Sequence, residues 1–124
     1  MPRLNIPSGG PFEPVYGYSR AVRVGNQVHV SGTTARPPDD EQDCYGQAVA
    51  VLKIVGKALE EAGASFKDVV RTVVYVTDMA DADKVARAHR EVFGGILPAS
   101  TLVAVTALLR PSCLVEIEAY AILE

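Results

Sequence analysis

The stretch Val115-Glu116-Ile117-Glu118-Ala119, near the C-terminus, decides the fold because it has the alternation of a β-strand. Successive side chains on a strand point to opposite faces, so Glu116 and Glu118 share one face while the apolar residues face a core. A strand with acid at both of its polar positions either faces water or lines a cleft. The first alternative predicts an ordinary folded domain, and the second predicts a functional site.

The composition of the chain is that of a globular protein. It has 124 residues, of which 48% are apolar and 22% are charged, and its formal net charge is −3. This length predicts a single domain spanning residues 1–124. Because no cluster of Lys and Arg is present, the composition argues against a nucleic-acid partner.

The cysteines and apolar runs bear on location. Cys44 and Cys113 lie in apolar patterns and predict buried free thiols. No apolar run approaches the roughly 18 residues of a membrane span, and the proline-rich residues 1–14 lack the apolar core of a secretory signal. Together these features predict a cytoplasmic location. The two histidines, with no Cys or Asp at ligand spacing, predict no metal site.

The N-terminal quarter predicts an arm followed by a hairpin. Residues 1–16, rich in proline, predict an extended arm. Strands are predicted at 21–24 and 28–31, around the turn signal Gly25-Asn26.

The register of this hairpin has two alternatives. A two-residue loop would pair Val24 with Gln27. A three-residue loop would pair Val24 with Val28 and Val22 with Val30. We prefer the three-residue loop, because it puts the valines on one face.

Two amphipathic helices are predicted in the middle of the chain. The first spans about 43–62, has apolar residues recurring every three or four positions, and ends at Gly63. The second runs to about residue 93, and either Asp78 or Asp81 can cap its start.

The remaining strands complete an α+β pattern. The β-branched run 69–77 predicts a central strand covered on both faces, and further strands are predicted at 101–105 and 114–123. The order ββαβαββ predicts helices on one face of a mixed sheet. The other sheet face would then carry Val, Ile and Leu with no helix over it, which predicts an oligomer.

A set of short segments, each weak alone, is specific as an ordered series that covers nearly the whole chain after Pro14. The segments are Gly17-Tyr18-Ser19-Arg20-Ala21-Val22, Val24-Gly25-Asn26, Val30-Ser31-Gly32, Ala62-Gly63-Ala64-Ser65, Asp68-Val69-Val70, Tyr75-Val76-Thr77-Asp78-Met79, Pro98-Ala99 and Val115-Glu116-Ile117-Glu118-Ala119. In this order they resemble the Rid family, the reactive-intermediate deaminases also called YjgF-like or L-PSP proteins.

The resemblance implies a chorismate-mutase-like fold, in which a mixed six-stranded sheet carries two helices on one face. It also implies a barrel-like homotrimer with the sheets packed inside and one cleft at each subunit boundary. The best-known family members hydrolyse enamine and imine products of PLP-dependent dehydratases, such as 2-aminoacrylate. They use neither a metal nor a cofactor.

The resemblance also assigns site residues. Tyr18 matches a tyrosine that closes over the substrate, and Glu116 matches the acid that orients the attacking water. Ser31 and the Gly32 backbone match the cleft wall that meets the substrate. The family arginine that grips the substrate carboxylate corresponds here to Ser100, whose hydroxyl offers one neutral hydrogen bond in place of a two-pronged ionic contact.

Four other polar residues are not assigned to the site by the resemblance. Glu118 is interpreted as structural and paired with a neighbouring base. Arg110 and Arg20 lie where either could reach the cleft and replace the lost guanidinium, although surface arginines are common. His89, on a helix stripe, is interpreted as a core or interface residue rather than a base.

The resemblance, taken with these residues, implies three alternative functions. The first is hydrolytic deamination of a small enamine or imine by a water that Glu116 positions, with Ser100 favouring a less acidic or uncharged substrate. The alternative is a non-catalytic trimer that binds a small metabolite, which explains Ser100 directly. The third, a ribonuclease or translation inhibitor, is disfavoured by the acidic balance. Neither nucleic acid nor membrane is an expected partner.

Overall fold

The fold, seen in a computed structural model that describes residues 2–124, is a six-stranded sheet with helices packed on it. The strands are β1 (Leu4–Ile6), β2 (Ala21–Val24), β3 (Gln27–Thr33), β4 (Val69–Val76), β5 (Ala99–Ala104) and β6 (Val115–Ile122). The α-helices are α1 (Glu13–Tyr16), α2 (Cys44–Glu61) and α3 (Ala82–Phe93). Short 3-10 turns span Asp39–Glu41, Phe66–Asp68 and Met79–Asp81.

The strands lie in the order β1-β2-β3-β6-β4-β5. All neighbours are antiparallel except β4 and β5, which run parallel with α3 as their crossover. This mixed sheet confirms the predicted α+β class and its six strands.

The N-terminal segment is only partly the extended arm that the prolines predict. β1 is extended because it pairs with β2, and it buries Ile6 against the core. The arm prediction is wrong for α1, where Pro14 lies in the first turn of a short helix. Proline is tolerated there because the first helical N–H groups have no intrahelical partner.

The hairpin register is the two-residue alternative, so the preferred three-residue loop is wrong. Val24 pairs with Gln27. Gly25 has a φ of 60°, which a two-residue hairpin turn requires at its first central position. Val28 is fully buried on the helix-facing side, whereas Val24 on the opposite side is 50% exposed. The valines therefore occupy both faces of the sheet: Val28 and Val30 lie on the helix-facing side, and Val22 and Val24 lie on the other.

Both predicted long helices are confirmed. The carboxylate of Asp43 caps α2 by accepting a hydrogen bond from the Gly46 N–H, and Gly63 follows the helix with a φ of 85°. α3 begins after Asp81, while the Asp78 side chain caps the preceding 3-10 turn. α2 packs on β3 and β6, and α3 packs on α2.

The central strand β4 is covered on one face only within residues 2–124, so the prediction of cover on both faces is wrong. Val74 and Val76 are buried under the helices, whereas Val73 and Tyr75 on the other side are partly exposed. The β-branched run concealed this difference because both faces of the strand are apolar. We call the uncovered side the bare sheet face. Its residues are Val22, Val24, His29, Val73, Tyr75, Val103, Glu116, Glu118, Tyr120 and Ile122.

Gly56, within α2, is needed for the packing of Phe66. A Cβ at Gly56 would lie 2.6 Å from the ring Cζ of Phe66, and the same ring packs edge-on against Phe93 with centroids 5.4 Å apart. Overpacking of this kind costs about 1–3 kcal/mol. Gly→Ala within a helix otherwise gains about 1 kcal/mol.

We expect Gly56→Ala to lower the free energy of unfolding, because the overlap outweighs the gain in helix propensity. Urea unfolding of the purified protein measures this. The same substitution in a Phe66→Leu background should cost less or become stabilising, since the smaller side chain leaves room. A stabilising effect of Gly56→Ala alone would contradict this packing argument.

Candidate functional site

A β-bulge in β3 shapes the candidate site. Between Val30 and Thr33 the strand advances three residues while its partner β6 advances only two. The extra residue lies within Ser31-Gly32. A bulge bends its strand and redirects the local side chains, which is why bulges occur beside functional sites.

The carboxylate of Glu116, on β6, lies directly against the bulge at Gly32. A Cβ at Gly32 would overlap Glu116 Oε2 and lie 2.9 Å from Glu116 Cδ. Glycine therefore leaves the room that the carboxylate occupies. The Glu116 side chain is half-buried, and its oxygens accept no hydrogen bond from any residue in 2–124. The carboxylate is free to bind a water or a ligand.

The pKa of Glu116 is raised above the ordinary carboxylate value. Burial is the main cause, and the negative charge of Glu118 adds to it, while the Arg20 guanidinium acts in the opposite direction. A carboxylate with a raised pKa holds a proton more readily than an exposed one. Such a group is suited to proton transfer closer to neutral pH.

Arg20 fixes the bulge and the nearby tyrosine. The side chain is only 8% exposed. Its Nη1 donates to the Gly32 carbonyl (3.1 Å) and to Thr33 Oγ1 (2.7 Å), and its Nη2 donates to the Tyr18 hydroxyl (3.3 Å). Both terminal nitrogens are thus engaged, so Arg20 is a positioning residue and does not replace the missing guanidinium.

Tyr18 and Ser31 lie beside this centre. The Tyr18 ring packs against Phe12 and Tyr16 of the α1 region, with centroids 6.4 and 6.2 Å apart. The Ser31 hydroxyl donates to the Ser19 carbonyl over 2.6 Å, which leaves the hydroxyl oxygen able to accept a hydrogen bond. Tyr18, Ser31, Gly32 and Glu116 therefore form one group, which we call the bulge site.

Among residues 2–124 no base pairs with Glu118, so that prediction is wrong for the described part of the chain. Its carboxylate accepts hydrogen bonds from the hydroxyls of Tyr75 and Tyr120. The bond to Glu118 is the main reason that the pKa of Tyr75 is raised to about 12. The two tyrosines satisfy the carboxylate without a cation, because Tyr75 on β4 and Tyr120 on β6 flank it on the same sheet face.

Ser100, on β5, lies on the opposite side of the sheet from the bulge site. Its Oγ accepts a hydrogen bond from the buried Thr72 hydroxyl over 2.7 Å, and Thr72 Oγ1 is 2.8 Å from His89 Nε2 on α3. Moreover, β5 is two strands away from β6, a distance of about 10 Å. A single chain therefore does not bring Ser100 to Glu116.

A cavity of about 350 Å³ opens between α3 and β5 at Ser100. Its walls are mainly apolar, and its polar groups are Ser100, His89 and Arg90. The ring of His89 is half-buried against Phe93, and burial lowers the pKa of the imidazole. Arg90 did not emerge from the sequence, because its exposed position on a helix is that of an ordinary surface arginine.

Arg110, the other arginine considered as a replacement, is also engaged. Its Nη1 lies 3.3 Å from the Asp40 carboxylate, and its Nη2 donates to the Ala35 carbonyl. These contacts tie the loop before β6 to the loop after β3.

Other candidate chemistry is limited within residues 2–124. The two cysteines are confirmed as buried free thiols, and burial raises the pKa of Cys44 to about 12, so its reactive thiolate is disfavoured. In this part of the chain no three Asp, Glu, His or Cys side chains form a group able to hold a metal ion. None of the helices described in 2–124 has the length and apolarity to cross a membrane.

Comparisons with known proteins agree with this architecture. Residues 10–123 match the family described as Endoribonuclease L-PSP. The chain is 38% identical to 2-iminobutanoate/2-iminopropanoate deaminase of Mus musculus, over 85% of this chain and 80% of that protein. It is 34% identical to 3-aminoacrylate deaminase RutC of Acinetobacter baylyi, over 98% of both.

The structure also superposes on a crystal structure from Mycobacterium tuberculosis, of a member of the YjgF/YER057c/UK114 family. The TM-score is 0.92 and the identity 45%, over 98% of this chain and 100% of that one. Fold, ordered segments and sequence identity agree, and the chain belongs to the Endoribonuclease L-PSP family, the YjgF/YER057c/UK114 or Rid proteins.

Proposed function

We propose that this protein is a hydrolytic deaminase of small imines and enamines. The observation that carries the proposal is the Glu116 carboxylate, which is half-buried against Gly32 with no hydrogen-bond partner in residues 2–124. Its raised pKa suits a group that takes a proton from water. The relatives named as 2-iminobutanoate and 3-aminoacrylate deaminases support the reaction class.

The proposed reaction is the addition of water to an imine carbon, which is already electrophilic. Glu116 orients the water and takes one of its protons as the new carbon–oxygen bond forms. The proton passes to the imine nitrogen, giving a carbinolamine. Its hydroxyl proton then moves to the nitrogen, the carbon–nitrogen bond breaks, and a ketone and ammonia leave. An enamine enters the same sequence after tautomerisation to the imine.

The other residues of the bulge site serve as the binding wall in this proposal. Tyr18, whose hydroxyl is held by Arg20, covers the substrate. Ser31 offers a hydroxyl oxygen whose proton is already used by the Ser19 carbonyl. Gly32 contributes backbone without a side chain, so the substrate can approach Glu116 closely.

The cleft in this proposal forms between copies of the chain in a homotrimer. The bare sheet face leaves large apolar side chains exposed, including Val24, Val103 and Ile122. Apolar side chains exposed on one face support an interaction surface there. Because Ser100 and Glu116 face opposite sides of one sheet, a second copy is needed to bring a β5 edge to the bulge site.

A metabolite-binding trimer without turnover is the second candidate. The observation that favours it is Ser100 itself, which is exposed at the position where the resemblance expects an arginine. In that case a small ligand would raise the thermal stability of the protein, while the rate of imine hydrolysis would equal the spontaneous rate.

We expect Glu116→Gln to lower kcat/KM for 2-iminobutanoate by about 100-fold or more, since general-base catalysis contributes 10²–10⁴-fold. The imine is generated in the assay, and ammonia release is measured over the spontaneous rate. Glu60→Gln, which removes an exposed acid on α2, should leave the rate unchanged. Equal rates for wild type and Glu116→Gln would exclude Glu116 as the base.

The pH dependence should follow the raised pKa of Glu116. Activity requires the carboxylate, so kcat/KM should fall as pH drops through that raised pKa, above the range of an exposed glutamate. Glu118→Gln removes the negative charge that adds to the effect of burial on this pKa, so the fall in kcat/KM should move to lower pH. If kcat/KM of Glu118→Gln falls over the same pH range as that of the wild type, the titrating group is not Glu116.

Sedimentation equilibrium should give about three times the 13.2 kDa mass of the chain. Val73→Asp puts a charge in the centre of the bare sheet face and should shift the mass toward one chain, with loss of deamination. Lys57→Asp, an exposed change on α2, should leave the mass at three chains. A wild-type protein that sediments as one chain would remove the intersubunit cleft.

A further inference from the structure

We infer that Arg90 binds the carboxylate of the substrate in the cavity between α3 and β5. Ser100 at this cavity stands where the resemblance expects an arginine, and Arg90 supplies a guanidinium from the neighbouring helix. The inference rests on the proposed function for its choice of ligand, a small imine that carries a carboxylate. The bulge site alone determines neither this residue nor a carboxylate on the substrate.

The cavity has the size and lining of a small-molecule site. Its volume of about 350 Å³ lies in the range of ligand pockets. Val74, Phe93 and Leu102 supply apolar wall, with Leu97 at the rim. Leu97 is 80% exposed and has a φ of 57°, a conformation that leucine rarely adopts. Such backbone conformations cluster at functional sites.

Arg90 is the positive charge of this cavity at neutral pH. Its guanidinium makes no ion pair and no hydrogen bond with any residue in 2–124. His89 does not compete for this role, because burial lowers the pKa of its imidazole and favours the neutral form. A planar guanidinium matches a carboxylate with two parallel hydrogen bonds.

Ser100 can assist as a second donor. Its Oγ accepts the Thr72 hydroxyl proton, and Thr72 Oγ1 is in turn within hydrogen-bond distance of His89 Nε2. With its oxygen engaged in this way, the Ser100 hydroxyl retains its own proton to donate into the cavity. One charge-assisted contact from Arg90 and one neutral contact from Ser100 suit a monocarboxylate with a short apolar chain.

Arg87 provides a matched comparison on the same helix. Its guanidinium lies 3.6 Å from the Glu91 carboxylate and 4.4 Å from the ring centroid of Tyr45. Arg87 is therefore already engaged, and it is not part of the cavity. Arg87→Gln changes the net charge by the same amount as Arg90→Gln without touching the proposed ligand.

The test compares butanoate with its neutral isostere butanamide, titrated by calorimetry or NMR into the full-length protein. We expect the wild type and Arg87→Gln to bind butanoate at least tenfold more tightly than butanamide. Arg90→Gln should bind the two probes equally, because the charge-assisted contact is gone, and Arg90→Lys should recover part of the preference. Thermal unfolding of each variant checks that all of them fold.

Retention of the butanoate preference by Arg90→Gln would overturn the inference, as would its absence from the wild type. Glu116→Gln separates the inference from the proposed function. If that variant loses deamination and keeps the butanoate preference, both hold. If the wild type shows no deamination but its butanoate preference depends on Arg90, the proposed function fails and the inference stands.

Discussion

The close approach of the Glu116 carboxylate to the Cα of Gly32 is the constraint on which the bulge site depends. It requires an extra residue within Ser31-Gly32 of β3, a glycine at position 32, and an acid at position 116 of β6 whose side chain reaches Gly32. Arg20 holds the arrangement by donating hydrogen bonds to the Gly32 carbonyl and the Thr33 hydroxyl oxygen. The burial that this arrangement imposes also raises the pKa of Glu116. Geometry and proton affinity thus have one cause.

The two acids of β6 differ because of what surrounds them. Glu118 is satisfied by the hydroxyls of Tyr75 and Tyr120, so its lone pairs are used within the sheet. Glu116, two residues away on the same face, has no such donor among residues 2–124 and keeps its lone pairs available. Side-chain alternation makes the two acids equivalent, and the neighbouring strands make them different.

Local pattern predicted most of the fold and part of the site. The alternation at 115–119 predicted a strand with both acids on one face, and the helical periodicity predicted α2 to within one residue at each end. Periodicity did not determine the hairpin register, because valines lie on both faces. The bulge at Ser31-Gly32 depends on pairing between strands far apart in sequence. Arg90 became a candidate only once the cavity between α3 and β5 was seen, since an exposed arginine on a helix carries no signal of its own.

The bulge site and the cavity lie on opposite sides of one sheet, so a single chain cannot bring them together. In the proposed assembly every cleft would combine halves from different copies. Two chains defective in different halves would then complement each other when mixed, because some boundaries would receive both intact halves. Dilution below the dissociation constant of the assembly would separate the halves and abolish the activity, which would make the abundance of the protein a control on its own activity.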